Sequence, residues 1–457
     1  MTTSDIIIIG AGPGGYRAAL HAAKKGLSVT VIEEKHAGGT CLNSGCIPTK
    51  TLCREAEIID TLRNAGTFGI QTGEIAIDFA KVMERKNAVV SQLRAGVETL
   101  MHTPGINYVR GHAAFIDNKT VKVTLSDSTN GTDTISLCRA DNILIATGSQ
   151  PALPSIDGIG LPGVVTSTDL LSLAAIPRRL TIIGAGVIGM EMASVFSSFG
   201  SRVTVIEYLR EALPTLDSDI AKRLRQTLAR RGIVFCMQSA VKSITQTTSL
   251  HVSFEQKGTG KSADADTVLV ATGRAPRIDG LNLDGIGVTY DRKGIHVDNH
   301  FRTSVPNIYA IGDANGQCML AHAATAQGIH AVNQITGSAP DNIRFDIMPS
   351  AIFTNPEAAS VGDSEDICKR ENKPYICRKG YYRANGKALA MGSPDGMIKL
   401  IATPGGIITG CHAFGAHASD IVQEATALIN SHATTAQLAD IIHIHPTLSE
   451  ILHDMAE

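Results

Sequence analysis

The sequence predicts an α/β fold, with two Rossmann-like dinucleotide-binding domains followed by a C-terminal α+β domain. Three observations predict it. The all-apolar, β-branched run Ile6-Ile7-Ile8-Ile9 leads directly into Gly10-Ala11-Gly12-Pro13-Gly14-Gly15, the order of a buried parallel strand and a phosphate-binding turn. The same unit returns 174 residues later as Leu180-Thr181-Ile182-Ile183-Gly184-Ala185-Gly186-Val187-Ile188-Gly189. Beyond residue 342, strand-like runs alternate and then give way to a helical pattern over 418–431, as a separate α+β domain would.

In the first unit, residues 16–25 read as a helix that Gly26 ends, and 28–32 as a second strand closing on Glu33. That βαβ context gives the glycine pattern its meaning. Gly10 permits the tight turn, Gly12 lets backbone approach a pyrophosphate, Gly15 allows the helix to pack closely on the strand, and Glu33 can accept from a ribose diol.

The stretch Gly38-Gly39-Thr40-Cys41-Leu42-Asn43-Ser44-Gly45-Cys46-Ile47-Pro48-Thr49-Lys50 comes next. Its cysteines are five apart, at what reads as the start of a helix running through 51–59. Five helical residues advance about 7.5 Å, more than the roughly 7 Å between Cα atoms that a disulfide tolerates. A bond here requires a distorted first turn, and Gly45 supplies the freedom for one. A strained disulfide is easily reduced, and a helix N-terminus favours a thiolate. Two unpaired buried cysteines fit the same spacing.

Residues 79–100 read as one long amphipathic helix and 108–137 as short strands with turns. Asn142-Ile143-Leu144-Ile145-Ala146-Thr147-Gly148 closes a further buried strand on a glycine, and Asp266-Thr267-Val268-Leu269-Val270-Ala271-Thr272-Gly273-Arg274 repeats that ending. The paired endings suggest chain crossovers near Gly148 and Gly273. In the second unit, Val203-Thr204-Val205-Ile206 ends on Glu207, in register with Val29-Thr30-Val31-Ile32 and Glu33. Duplication is the economical explanation. A carboxylate at Glu207 repels a 2′-phosphate, so the second ligand is expected to be NAD rather than NADP.

The basic run within 221–232 reads as a solvated helix face rather than a nucleic-acid site. Ile308-Tyr309-Ala310-Ile311-Gly312-Asp313 is a buried strand ending on an acid. Asp313 fits three roles: a ligand for a cofactor hydroxyl, the N-cap of a helix over 321–335, or a turn aspartate. The tail His443-Ile444-His445-Pro446-Thr447-Leu448-Ser449-Glu450 sets a histidine and a carboxylate across a proline turn. They could be a base with its orienting partner, or surface histidines before a short helix.

Composition narrows the function classes. A net charge of −2 and a pI near 6.7 give no electrostatic case for nucleic acid or an anionic membrane. Nine scattered cysteines do not form a secreted disulfide framework. No uncharged run of eighteen apolar residues occurs, and the chain enters a strand at Ile6 with no basic leader. A soluble cytoplasmic enzyme is expected.

Together these stretches resemble the flavoprotein disulfide reductases with two dinucleotide sites, class I of the pyridine nucleotide-disulfide oxidoreductases. The resemblance spans essentially the whole chain and is most specific over Gly39 to Lys50 and His443 to Glu450. It implies an FAD-binding and an NAD-binding domain plus a C-terminal α+β dimerisation domain. The expected division is 1–147 for the FAD domain with its redox disulfide, 148–272 for the NAD domain, 273–342 completing the FAD domain, and 343–457 for the interface domain. By resemblance, Gly10, Gly12, Gly15, Glu33, Gly39, Thr40, Gly148 and Asp313 belong to the FAD site, with Ala113 and Ala321 touching FAD through backbone. Gly184, Gly186, Gly189 and Glu207 belong to the NAD site, with Val241 and Gly273 touching NAD through backbone. Cys41 and Cys46 are implied as the redox disulfide, Lys50 as the lysine beside the flavin, and Glu191 as its partner. His445 is implied as the acid-base residue and Glu450 as its orienting partner, serving the disulfide of the other subunit in a homodimer. No metal is implied.

Within the family the resemblance is closest to the branch that oxidises protein-bound dihydrolipoamide and passes hydride to NAD, in 2-oxoacid dehydrogenase or glycine-cleavage complexes. Glu207 argues against the NADP-linked glutathione and trypanothione reductases. The last cysteine, Cys411, argues against reductases with an extra C-terminal redox pair, and Cys41 with Cys46 against soluble transhydrogenases. Ser44 stands where an apolar residue is usual, and Gln327 where an acid is common. A non-enzymatic nucleotide-binding scaffold is the competing reading, against which the cysteines, His445 and Glu450 speak.

Overall fold

The computed structural model describes residues 1–126, 133–339 and 341–456. The chain forms two compact units: Met1–Thr49 with Met83–Ala152 and Gly273–Ile343, and Lys50–Val82 with Leu153–Thr272 and Arg344–Glu457.

The first unit is built on a seven-stranded sheet in the order Ile106–Arg110, Val29–Glu33, Thr2–Ile9, Asp133–Ile145, Thr120–Ser126, His112–Phe115, with Ile308–Ala310 also paired to Asp133–Ile145. Ile6 to Ile9 are almost fully buried, as expected for a strand covered on both faces. They pair in parallel with Val29 to Ile32 on one side and Asn142 to Ile145 on the other. Helices Pro13–Lys24 and Ala321–Ile335 pack against each other. They approach closely at Gly328, where an added Cβ would lie 2.9 Å from the Gly14 carbonyl oxygen. The short strands expected over 108–137 are present on both sides of 127–132, which lies outside the described residues. An antiparallel ribbon of Ser149–Pro151 with Arg274–Pro276 marks where the chain leaves this unit and returns to it.

The second unit holds an all-parallel sheet ordered Val234–Cys236, Arg202–Ile206, Arg179–Ile183, Thr267–Val270, Val164–Val165. It also holds a three-stranded antiparallel sheet over 239–265 and the C-terminal α+β portion. In that portion, strands Ser350–Ile352, Glu357–Gly362, Ile408–Gly415, Met397–Ala402 and Ile376–Tyr381 form an antiparallel sheet. Helix Ala418–Asn430 packs on it, burying Ile421, Val422, Ala425 and Ile429 at its apolar spacing. Among the described residues no helix is long and apolar enough to cross a membrane.

The helix expected over 79–100 is observed as Phe79–Leu100. The basic run is a solvated helix face at Lys222, Arg223 and Arg230, which are exposed on helix Ser218–Arg230. Arg225 is instead half-buried and held by both Glu211 oxygens at 2.5 and 2.9 Å, and Arg231, just past the helix end, bonds Asp60 and the Asn355 carbonyl. Arginine's planar fork suits such bidentate pairing.

Candidate active site

The 174-residue repeat extends to individual hydrogen bonds. In the first copy Glu33 Oε2 accepts from the Ala11 N–H at 2.8 Å and Oε1 from the Lys35 N–H at 2.8 Å. In the second, Glu207 Oε2 accepts from Ala185 at 2.6 Å and Oε1 from Leu209 at 2.7 Å. Each acid therefore pins the glycine loop of its own copy to the end of its second strand. Gly10 and Gly184 both have φ of +106°, and an added Cβ would lie 2.4 Å from the Ala146 oxygen and 2.5 Å from the Ala271 oxygen respectively. No side chain but hydrogen fits. At Gly15 and Gly189 the obstacle is the carbonyl of the first glycine, at 1.9 and 2.0 Å.

Both loops open helices, Pro13–Lys24 and Val187–Ser198, whose N-caps are Gly12 and Gly186 without any side-chain cap. The first-turn N–H groups are thus left for a ligand, and the helix dipole favours an anionic one. Space for it exists, since a Cβ on Gly186 would meet nothing within 4 Å. In the first unit, Thr147 Oγ1 is buried without a hydrogen-bond partner among the described residues, a group that a bound cofactor would satisfy. The residues present therefore fit two dinucleotides.

The cysteine segment is docked onto the first loop. The Gly38 N–H donates to the Ala11 carbonyl at 2.8 Å, and a Cβ on Gly39 would lie 2.6 Å from Gly12 Cα. Asn43 donates to the carbonyls of Ala37 and Gly39 and accepts from Arg94 Nε at 2.7 Å. Leu42 and Ile47 pack with Ala37, Val90 and Val97. The single helix expected here is instead two, Gly39–Ser44 and Cys46–Arg63, broken at Gly45. At the break Gly45 takes φ −142° and ψ −109°, a conformation in which an added Cβ would lie 3.0 Å from the Thr40 oxygen and 3.4 Å from Cys41 Cα, so the position favours glycine. Both cysteines are half-buried, with Cys41 inside the first helix and Cys46 opening the second. A negative charge on Cys46 would face the positive end of that helix.

One turn along the same helix, Lys50 Nζ donates to both Glu191 oxygens at 2.9 and 3.0 Å. Glu191 also accepts from the Phe353 N–H at 2.9 Å, and the ammonium lies 4.7 Å from the Phe353 ring centroid. Farther on, burial and then the Glu191 charge push the Cys53 thiol up to about 12, which leaves it a neutral packing residue.

Asp313 is not a helix N-cap. It lies in the one-turn helix Gly312–Ala314, while Ala321–Ile335 is capped by Leu320. Its carboxylate accepts from the Ser149 hydroxyl, and Ser149 accepts in turn from Arg274 Nε at 2.7 Å. Gln327 serves the same turn without a charge: its Oε1 accepts from the Gly312 N–H at 2.7 Å and from Asn315 Nδ2 at 3.1 Å. Ala113 is buried in strand His112–Phe115, Ala321 is the first residue of its helix, and Val241 is half-buried in strand Ser239–Gln246 beside a register shift. Gly148 and Gly273 flank the crossover ribbon with φ of +71° and +124°. Ser149 and Arg274 were not among the sequence candidates. The available signal was position, because each directly follows the glycine of a repeated Ala-Thr-Gly ending.

The tail histidines part ways. The His443 side chain is 8% exposed, and its Nε2 bonds Glu424 at 2.9 Å, so it is not a surface residue. His445 is 82% exposed, and its Nδ1 lies 2.8 Å from Glu450 Oε1. The Thr447 N–H, donating to Glu450 at 2.7 Å, and the His445 ring hold that carboxyl below its usual value. An ionised carboxylate only accepts, so Nδ1 carries the proton of this bond, and in the neutral ring Nε2 is the basic nitrogen.

The family model for pyridine nucleotide-disulphide oxidoreductases matches residues 4–328, and that for the dimerisation domain of the same family matches 348–456. A dihydrolipoyl dehydrogenase of Chlamydia muridarum is 40% identical, the alignment covering 99% of this chain and 96% of that protein. Another, of Geobacillus stearothermophilus, is 38% identical with the same coverage. The solved structure of the HOCl-induced flavoprotein disulfide reductase RclA of Escherichia coli superposes with a TM-score of 0.87 at 28% identity, covering 99% of both chains.

Proposed function

This chain belongs to the pyridine nucleotide-disulphide oxidoreductase family, and from that premise we propose that it is a dihydrolipoyl dehydrogenase using FAD and NAD. Protein-bound dihydrolipoamide is oxidised to lipoamide, in 2-oxoacid dehydrogenase or glycine-cleavage complexes of the cytoplasm. The observation that carries the reading is the His445–Glu450 dyad: an imidazole base aimed by an ionised carboxylate, yet 82% exposed. A base held so far out in solvent serves a site completed from outside its own chain, and a second copy joined through the dimerisation domain supplies it.

In this reading the chain is divided into 1–147, 148–272, 273–342 and 343–457 as FAD, NAD, central and interface segments. His445 Nε2 takes the proton of one substrate thiol, because the thiolate is the attacking form. That thiolate attacks the Cys41 sulfur of the bonded pair, and Cys46 leaves as a thiolate at the N-terminus of its helix. The second substrate thiol then attacks the substrate sulfur of the mixed disulfide, closing lipoamide and releasing Cys41 with a proton returned through His445. Lys50, neutralised by Glu191 at rest, lies one turn beyond Cys46 and favours negative charge near that sulfur. Two-electron transfer from the dithiol to nicotinamide is supplied by FAD and NAD when bound. Glu33 and Asp313 would hold the first dinucleotide, and Glu207 would disfavour a 2′-phosphate at the second site, favouring NAD.

Complementation between two inactive variants tests the reading. His445→Gln should slow dihydrolipoamide oxidation by roughly 100- to 10,000-fold, the usual worth of a general base, with flavin reduction by NADH little changed. Cys41→Ser should keep FAD and lose turnover. Mixed dimers of the two, verified by native mass spectrometry, should regain activity because one site has both groups intact. Verified mixed dimers as inactive as their parents would reject a histidine acting in trans.

A further inference from the structure

We propose that Arg274 is a positioning residue for Asp313, acting through the Ser149 hydroxyl. The inference rests on the assignment of Asp313 to the FAD site.

The direction of the relay follows from donor chemistry. Arg274 reaches Ser149 twice, Nε to Oγ at 2.7 Å and Nη2 to the carbonyl at 2.8 Å. A guanidinium only donates, so Ser149 Oγ accepts, and its single proton is left for Asp313 Oδ2. The arginine therefore decides which way the hydroxyl points. Ser149 is 5% exposed, so water does not compete for that proton.

These bonds are redundant for the backbone. The ribbon on which both residues lie is already held by the Ala152 N–H to the Gly273 carbonyl at 3.0 Å and the Arg277 N–H to the Gly148 carbonyl at 2.9 Å. Taking a guanidinium out of water is costly, and burial lowers the Arg274 pKa, opposed by the charges of Asp313 and Cys46. A charge kept there at that cost has a use beyond pairing two strands. The backbone under Asp313 is fixed separately, by Gln327 accepting from the Gly312 N–H. What stays loose is rotation of the carboxylate, a broad two-fold torsion, and the Ser149 hydroxyl removes it by engaging one oxygen. Asp313 is then preset to receive a cofactor hydroxyl rather than ordered when FAD binds, which strengthens binding by sparing that ordering cost.

The test is a mutant cycle read by flavin release from diluted holoenzyme, followed by flavin fluorescence and independent of turnover. Ser149→Ala and Arg274→Gln should each weaken FAD retention roughly 10-fold, the worth of a hydrogen bond to a charged group. Arg274→Lys, which keeps a donor and the charge, should restore part of the loss. Because the arginine works through the serine, the double variant should be no worse than Ser149→Ala alone. Losses that multiply in the double variant would overturn the relay, as would wild-type retention in Ser149→Ala. Weak retention in Asp313→Asn alongside normal retention in both relay variants would reject the relay and leave the FAD assignment standing. Normal retention in Asp313→Asn as well would remove the assignment itself.

Discussion

Lys50→Met and Glu191→Gln break the same ion pair, and the structure predicts that they are not equivalent. Glu191 is the buried partner, with its side chain 4% exposed against 31% for Lys50. Removing the lysine leaves a carboxylate shut away from water with one remaining donor, the Phe353 N–H at 2.9 Å. Losing one partner of a buried pair costs about 3–5 kcal/mol. Removing the acid is milder. Glutamine still accepts from Phe353, and the ammonium keeps its partial exposure and its place 4.7 Å from the Phe353 ring. The charge-assisted bond that is lost is worth about 1.5–3 kcal/mol, and partial exposure of the lysine reduces that further. Lys50→Met should therefore melt several degrees below Glu191→Gln, since about 1 kcal/mol moves the midpoint of a large domain by roughly 2–4 °C. The double variant should recover part of the Lys50→Met loss because the orphaned charge is gone. Thermal melting of the holoenzymes by circular dichroism measures all three. If Glu191→Gln is the less stable single variant, or the double variant sums the two losses, the burial argument fails.

The repeated acid loops and the buried lysine of the C-terminal sheet give two more expectations. Glu207→Arg should raise the NADP to NAD ratio of kcat/KM by removing repulsion, and should also lower Tm, because the Ala185 and Leu209 N–H groups lose their acceptors; unchanged selectivity in steady-state kinetics would reject the role of Glu207. Lys399 is buried between Asp217, at 2.7 Å to both oxygens, and Glu365 at 2.5 Å, and although burial pushes the Glu365 carboxyl up, the bond and charge of Lys399 together with the Lys369 charge and the Tyr375 hydroxyl outweigh that and hold it down at about 2. A depressed folded pKa supplies stability in full above the ordinary value near 4.5 and loses it as pH falls toward 2. Glu365→Gln should thus melt lower at pH 7 and show a shallower fall in Tm between pH 5 and 3, and parallel Tm profiles for the two proteins would contradict this.

What sequence could show divides along physical lines. Periodicity and glycine spacing depend on local sterics, so the βαβ units, the helix Phe79–Leu100 and the register that pairs Glu33 with Glu207 were legible, while their bonds to the loop backbone were not. The break at Gly45 was only half legible. A glycine between two cysteines signals a turn, but the backbone angles Gly45 adopts, which bring that position against the Thr40 carbonyl, are ones no local rule specifies. Asp313 was ambiguous for the same reason: an aspartate before a helix fits a cap until the 3₁₀ turn shows it sits too early. Ser149 and Arg274 meet across a ribbon whose strands are 125 residues apart, and such pairing leaves no periodic trace. The two tail histidines look alike in sequence and differ only in what folds over them, Glu424 covering one while the other stays in solvent.

The two copies of the nucleotide unit show how duplication became division of labour. Their loops agree in φ, in steric obstacles and in the bonds to the closing acid, so whatever distinguishes the two sites lies outside that shared frame. In the first copy, the Gly38-Gly39 turn lies against Gly12, so that a Cβ on Gly39 would sit 2.6 Å from Gly12 Cα. In the second, the corresponding Gly186 faces open space. The cysteine segment is thus docked on the first loop through a glycine-on-glycine contact and the Gly38 N–H to Ala11 carbonyl bond, which joins that loop to the Gly39–Ser44 helix carrying Cys41. The second loop keeps its approach clear. A cofactor that must stay beside a cysteine pair through every turnover fits the first arrangement, and one that must arrive and leave in every turnover fits the second.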